Sequence, residues 1–263
     1  MDAPAIQLCG LHKAFNGISV LRGVDLTVRA GESLTIIGGS GTGKSVLLRL
    51  IIGLLKPEAG QILLDGQDIV PLRERELLDV RRKVGMVFQG SALFDSLSVG
   101  ENVAFALREH TEWEEGKIAA RVREVLELVG LGPIQAVDPA ELSGGMRKRV
   151  AVARAIALPP KILLYDEPTT GLDPGTVEKI IELILDLKGK LGVTSVVVTH
   201  DMPSALKVSD RLAMLHQGRI AAVGTPEEIE MTHDSLIRDF IEGRLEDRRP
   251  GDPATGPSGV RRG

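Results

Sequence analysis

A single cysteine, Cys9, is all the thiol that this chain of 263 residues contains. One cysteine makes neither an internal disulfide nor a cysteine-rich metal site, which suits a reducing compartment. Set in an apolar stretch, Cys9 is expected to be an inert buried thiol. The chain also lacks an excess of basic residues: 32 Lys and Arg stand against 36 Asp and Glu, a formal net charge of −4. A general polyanion binder carries a dominant basic patch, so no nucleic-acid partner is expected. That balance leaves room for anion sites built from backbone. No apolar run reaches the roughly 20 residues a membrane-spanning helix needs. The most apolar stretch, Val46–Leu55, is broken by Arg49 and Gly53. Met1–Gly10 has no basic segment followed by an apolar one, so no secretory signal is expected. No internal repeat is visible.

What is present is the composition of an ordinary globular protein, 43% hydrophobic and 26% charged, sufficient for a substantial core. Over residues 5–36, apolar segments alternate with turns, which predicts a small meander of strands ending in a buried one. A Gly-rich loop and the helical run Ser45–Ile52 follow at once, and Gln61–Gly66 reads as another strand and turn. Between about 90 and 155 the pattern turns helical. There Val122, Val125, Leu126 and Val129 share one helix face, and Gly130 ends it. Two runs apolar on both faces, Ile162–Tyr165 and Val193–Val198, then flank the helical stretch Gly175–Leu191. A parallel sheet covered by helices requires such runs. The expected fold is α/β, with a parallel-sheet core, an antiparallel β subdomain and an inserted α-helical subdomain over residues 90–155, all within one domain of residues 5–244. Residues 245–263, rich in Pro, Gly and charge, are expected to form a disordered tail.

Three segments carry chemistry. Gly38-Gly39-Ser40-Gly41-Thr42-Gly43-Lys44-Ser45 follows a strand and opens a helix, the pattern of a phosphate-binding loop. Its glycines let successive N–H groups point at phosphate oxygens, and the helix adds its positive end. Lys44 is expected at the β- and γ-phosphates of ATP, and the Ser45 hydroxyl on Mg²⁺. Ile162–Glu167 is a buried strand ending in two adjacent carboxylates. Strand residues alternate faces, so Asp166 can serve the magnesium shell while Glu167 polarises the attacking water. Leu142-Ser143-Gly144-Gly145-Met146 precedes a helix over Arg147–Ala157, with Ser143 as its natural N-cap. The same geometry offers a hydroxyl and free N–H groups to an anion.

Placed between a phosphate loop and an Asp-Glu strand, that Leu-Ser-Gly-Gly resembles the signature of ABC ATPases. The resemblance extends over residues 5–242 and implies an ABC-type nucleotide-binding domain with a RecA-like core. Gln89, after Val84–Phe88, resembles the glutamine that joins Ser45 and Asp166 around magnesium and links nucleotide to the membrane partner. Gly171-Leu172-Asp173 resembles the loop that crosses to the other subunit, and His200, after Val196–Thr199, the switch histidine at the γ-phosphate. Phe15 is similar to the aromatic that stacks on adenine, with ordinary strand core as the alternative. The resemblance implies ATP hydrolysis in a head-to-tail dimer, each nucleotide held by one copy's phosphate loop and by Ser143, Gly144 and Gly145 of the other.

The stretch between Ser45 and Ser143 is too short for the coiled coils of chromosome-type relatives, and one cassette is too few for translation factors. The resemblance therefore favours a transporter subunit, with a soluble non-transport ABC ATPase as an alternative. Phe88–Val99, Leu107-Arg108-Glu109-His110-Thr111 and Met146 resemble ATPases of Mla/Mce-type lipid transporters, with a generic importer or exporter ATPase as the alternative. The implied partners are integral-membrane permease subunits, an Mce-domain substrate-binding protein and a small regulatory subunit. The implied location is peripheral, on the cytoplasmic face of the inner membrane. Between Gln89 and Val103, Leu97 and Val99 are expected to pack into the helical subdomain, and Phe94 to be the exposed permease contact.

Overall fold

The computed structural model describes residues 4–244; the tail expected to be disordered, residues 245–263, lies outside the described residues. Two long strands, β1 (Ile6–Phe15) and β2 (Ile18–Val28), form an antiparallel hairpin closed by Asn16 and Gly17. Both have positive φ, at 50° and 81°, as a two-residue turn matching strand twist demands. The fully buried β3 (Ser33–Ile37) feeds α1 (Lys44–Ile51). The chain returns through β4 (Ala59–Leu64) and the short β5 (Gln67–Asp68), then α2 (Glu74–Arg81) and β6 (Val84–Val87).

Three helices follow: α3 (Val99–His110), α4 (Glu115–Leu128) and α5 (Gly144–Ala155). Ser98 and Glu101 form a reciprocal capping box at the start of α3, which satisfies two otherwise unpaired donors. β7 (Ile162–Asp166), α6 (Pro174–Leu191) and β8 (Thr194–Thr199) come next. Asp173 caps α6 ahead of Pro174, and Gly192, at φ 62°, ends it in the left-handed conformation. The described chain finishes with α7 (Met202–Val208), β9 (Arg211–His216), β10 (Arg219–Gly224), α8 (Pro226–Glu230) and α9 (Ser235–Ile241).

The strands form two sheets. One is antiparallel, in the order β2-β1-β4-β5. The other runs β10-β9-β3-β8-β7-β6, parallel throughout except for the antiparallel edge strand β10. One core fills the space between the antiparallel sheet, α1 and one face of the larger sheet, with Leu47, Leu48 and Leu164 fully buried. A second lies on the opposite face, where Val150, Ile180 and Tyr165 pack with the apolar stripes of α3 and α4. Each fully buried aliphatic side chain contributes about 1.5–3 kcal/mol. The second core is continuous, so the helical insertion is welded to the sheet by its own hydrophobic face.

Cys9 is half-buried, contrary to expectation. Alternation along β1 places Ile6 and Leu8 in the core and Gln7 and Cys9 on the other face. The helices also begin earlier than their apolar stripes imply, α4 at Glu115 and α5 at Gly144.

Candidate active site

β3, β8, β7 and β6 are neighbours, and their C-terminal ends lie side by side. Open parallel sheets bind ligands at that edge. The loop from Gly38 to Gly43 leaves β3 and passes so close to β9 that a Cβ on Gly38 would sit 2.4 Å from the Leu215 carbonyl oxygen. Only glycine fits there. No side chain caps α1 and no acid lies in its first turn, so its leading N–H groups form an electropositive end. Lys44 is buried, and its Nζ donates to the carbonyls of Gly38 and Gly39 at 2.8 and 2.9 Å.

Asp166 and Glu167 end β7 side by side, both buried. The Ser45 hydroxyl donates to Asp166 Oδ1 at 2.7 Å. Glu167 leaves the strand with φ 47°, a left-handed conformation that is uncommon and costly outside glycine. Its N–H donates to the Val198 carbonyl at 2.9 Å. The Glu167 carboxylate then faces the phosphate loop, with Lys44 Nζ at 3.8 Å. The hydroxyls of Thr170 and Thr199 donate to its Oε2 at 3.1 and 3.2 Å. His200 Nδ1 lies 3.0 Å from both carboxylate oxygens, with the ring largely exposed. The structure therefore brings together Gly38–Ser45, Asp166, Glu167 and His200. Asp201 N–H in turn bonds the Thr199 hydroxyl at 3.0 Å, so the carboxylate has a fixed aim.

Gln89 joins this group through its backbone. The ammonium of Lys148, on α5, donates to the Gln89 carbonyl and, at 3.4 Å, to the Glu167 carbonyl. Burial lowers the pKa of Lys148, while the charges of Asp166 and Glu167 raise it. The following residues, Ser91 and Ala92, have positive φ, and Arg154 donates to both their carbonyls. Sequence reading passed over Lys148, Arg154, Thr170 and Thr199. Lys148 and Arg154 reach backbone carbonyls, and Thr199 a carboxylate, far away in sequence. Thr170 lies only three residues from Glu167, but no spacing rule singles it out.

The remaining sequence candidates occupy three other places. Phe15 is 41% exposed at the tip of the first hairpin, with Lys13 Nζ 5.2 Å from its ring centre. It is not strand core. Ser143 is exposed and caps α5 by accepting from Met146 N–H at 3.3 Å. A Cβ on Gly145 would lie 2.6 Å from Thr176 Cγ2, and one on Gly144 3.4 Å from Leu172. Signature and Asp173 loop thus pack on each other. Thr176 hydroxyl and N–H bond the Asp173 carboxylate at 2.6 and 3.1 Å and hold its pKa below the ordinary carboxylate range. Beside the Gln89 segment opens a groove of about 520 Å³, lined by Leu54, Met86, Phe88, Phe94, Phe105 and Arg154. Phe94 is 44% exposed and its ring lies 5.0 Å from that of Phe105, whereas Val99 is fully buried and Leu97 partly so.

An electropositive loop and lysine facing a buried, hydrogen-bonded carboxylate are suited to moving water onto a bound phosphoryl group. The comparisons with known proteins agree. The family model for ABC transporters matches residues 21–170. The Mycobacterium leprae protein named "Probable ribonucleotide transport ATP-binding protein mkl" is 44% identical over 241 residues, 91% of this chain and 69% of that protein. The Haemophilus influenzae "Intermembrane phospholipid transport system ATP-binding protein MlaF" is 45% identical over 220 residues, 84% of this chain and 83% of that protein. A dimeric ATP-binding cassette solved in a post-hydrolysis state with ADP and Pi superposes with a TM-score of 0.78 at 35% identity, covering 84% of this chain and 98% of its own.

Proposed function

This chain belongs to the ABC transporter family as an ATP-binding, ATP-hydrolysing subunit, and we propose that it powers a phospholipid transporter as a head-to-tail pair of copies. The observation carrying this reading is the Glu167 carboxylate, fixed by Thr170, Thr199 and His200 and aimed at the phosphate loop. In this reading the N–H groups of Gly38–Gly43 cradle the phosphates and Lys44 bonds the β- and γ-phosphates. Phe15 stacks on adenine with its free face. Glu167 takes the proton of the attacking water, which adds to the γ-phosphorus as ADP leaves. His200 bonds the departing phosphate. The Ser45 hydroxyl and Asp166 carboxylate, 2.7 Å apart, are the hard oxygens that magnesium prefers, with Gln89 as the third member. Magnesium supplies charge neutralisation at the phosphate oxygens.

Ser143, Gly144, Gly145 and Asp173 face outward and serve the nucleotide of a second copy. The dimeric cassette relative supports that pairing. The groove at Phe94 receives the permease. No described helix is long and apolar enough to cross a membrane. In this reading the subunit attaches to the cytoplasmic face of the inner membrane through the permease seated on that groove. The phospholipid cargo rests on the MlaF relative, of which the chain spans 83%, and on the Phe88–Val99 and Leu107–Thr111 segments. An Mce-domain protein and a small regulatory subunit complete the proposed assembly. The mycobacterial name favours a ribonucleotide cargo instead.

Steady-state ATPase and nucleotide binding of the full chain test the mechanism. Glu167→Gln is expected to bind ATP, lose turnover and accumulate as an ATP-bound dimer, while Lys44→Ala loses nucleotide affinity. Normal turnover in the Gln variant would remove Glu167 as the base. Movement of labelled phospholipid, and not of a labelled ribonucleotide, by the reconstituted complex tests the cargo.

A further inference from the structure

Lys148 presents an unusual arrangement for a charged side chain. It is 6% exposed, and among the described residues no carboxylate lies within ion-pair distance of it. Its ammonium donates to two main-chain carbonyls, those of Gln89 and Glu167. Gln89 follows β6, and Glu167 follows β7, the neighbouring parallel strand. Each acceptor stands at a break in regular backbone. Glu167 itself is left-handed, and Ser91 and Ala92, just beyond Gln89, are left-handed too. Ladder hydrogen bonds hold β6 and β7 together only as far as Val87 and Tyr165. Past that register the two chains separate, and Lys148 bridges them. The Glu167 carbonyl has one other donor, Thr170 N–H at 3.4 Å.

We propose that Lys148 is a positioning residue for hydrolysis: by tying the main chain of Gln89 to that of Glu167, it fixes the spacing of the two side chains that face the γ-phosphate and its water. A carbonyl bond locates the Cα of its own residue, so each side chain starts from a set point. Catalysis by a placed carboxylate depends steeply on that placement, a displacement of about 1 Å costing about 100-fold in rate. Within its own chain the nucleotide phosphates are assigned to Gly38–Ser45, whereas Lys148 bonds only the Gln89 and Glu167 carbonyls. The inference rests on the reading of Glu167 as the base.

The full chain carrying Lys148→Met, Lys148→Gln or Lys148→Arg, with Glu167→Gln as reference, is assayed for kcat, KM for ATP and thermal midpoint. Methionine keeps the length and apolar stem but donates nothing. It is expected to lower kcat at least about 10-fold while KM stays within about two-fold, and glutamine, which keeps an N–H donor, is expected to recover part of kcat. A folded Met variant with wild-type kcat, or one whose KM rises while kcat holds, would overturn the proposal. Equal losses of kcat in the Met and Gln variants, tracking equal losses of thermal midpoint, would overturn it as well. Should the Met variant not fold, Lys148→Gln decides alone: reduced kcat at unchanged KM sustains the role, and unchanged kcat ends it. Turnover surviving in Glu167→Gln strikes at the base itself, whereas wild-type turnover in Lys148→Met beside an inactive Glu167→Gln strikes at Lys148 only.

Discussion

Asn102 is fully buried on α3, yet its side chain serves the loop that precedes the helix. Its Oδ1 accepts from Phe94 N–H at 2.8 Å, and its Nδ2 donates to the carbonyls of Phe94, Leu97 and Ser98 at 3.0, 2.9 and 3.1 Å. An amide has two N–H groups, so three acceptors share two donors, and the whole amounts to three hydrogen bonds. Asn102→Ala removes all of them and leaves the part-buried Phe94 N–H and Leu97 carbonyl without that partner. At about 1 kcal/mol net for each bond, the cost is about 3 kcal/mol. That is a large share of a total stability of about 5–15 kcal/mol. For a domain of this size it lowers the melting temperature by about 6–12 °C. Asn102→Leu restores volume without the bonds and should fare no better. The damage is local to the segment carrying Phe94, so ATP binding should persist at temperatures where permease binding has weakened. Thermal melts of both variants, ATP affinity and co-purification with the permease are the measurements. A shift under about 2 °C in both, or loss of ATP affinity in step with permease binding, would refute the argument.

Phe94→Asp should leave the isolated subunit folded, because the ring is exposed at the groove, but detach it from the permease; losing an aromatic contact at an interface commonly costs about 2 kcal/mol or more. Retained co-purification with a normal melt would exclude Phe94 as the contact, and a collapsed melt would make it core. Tyr165 is wholly buried with no partner for its hydroxyl among the described residues, and burial raises its pKa, keeping it neutral. Tyr165→Phe should raise stability by about 1 kcal/mol at unchanged turnover, since an unpaired buried hydroxyl costs about that or more; a lower melting temperature would reveal a hidden partner.

The sequence is legible wherever function is written in backbone geometry. The glycines of the phosphate loop, the runs apolar on both faces and the capping serine are local statements, and each reappears as a turn, a strand or a helix start. Helix lengths are less legible where the first turn is polar. In α4 the periodic residues are Ile118, Val122, Val125 and Leu126, so the stripe starts a turn after the helix does. In α5 the two glycines after Ser143 are poor helix formers, and the helix nonetheless begins on them because Ser143 caps it and Gly145 packs tightly on Thr176.

The least legible element is the use of α5 as a whole. Its sequence announces only the N-terminus, where Ser143, Gly144 and Gly145 are displayed. Lys148 lies three residues past Gly145 and holds the ends of β6 and β7. Arg154 lies near the far end and holds Ser91 and Ala92, the latter bordering the groove at Phe94. At 1.5 Å per residue these three points fall within roughly 18 Å of one rigid rod. Ala155 fixes the end of that rod against β6, where a Cβ on Gly85 would come within 2.4 Å of the Ala155 carbonyl. A pull on the groove and a pull on the signature therefore act on the same helix, and the charged residues between them bind main chain because main chain is what must be kept in place. Periodicity records which face of α5 is buried. It cannot record that a buried lysine and a half-buried arginine on that helix reach carbonyls about 60 residues away, because the fold alone decides which strand ends lie there.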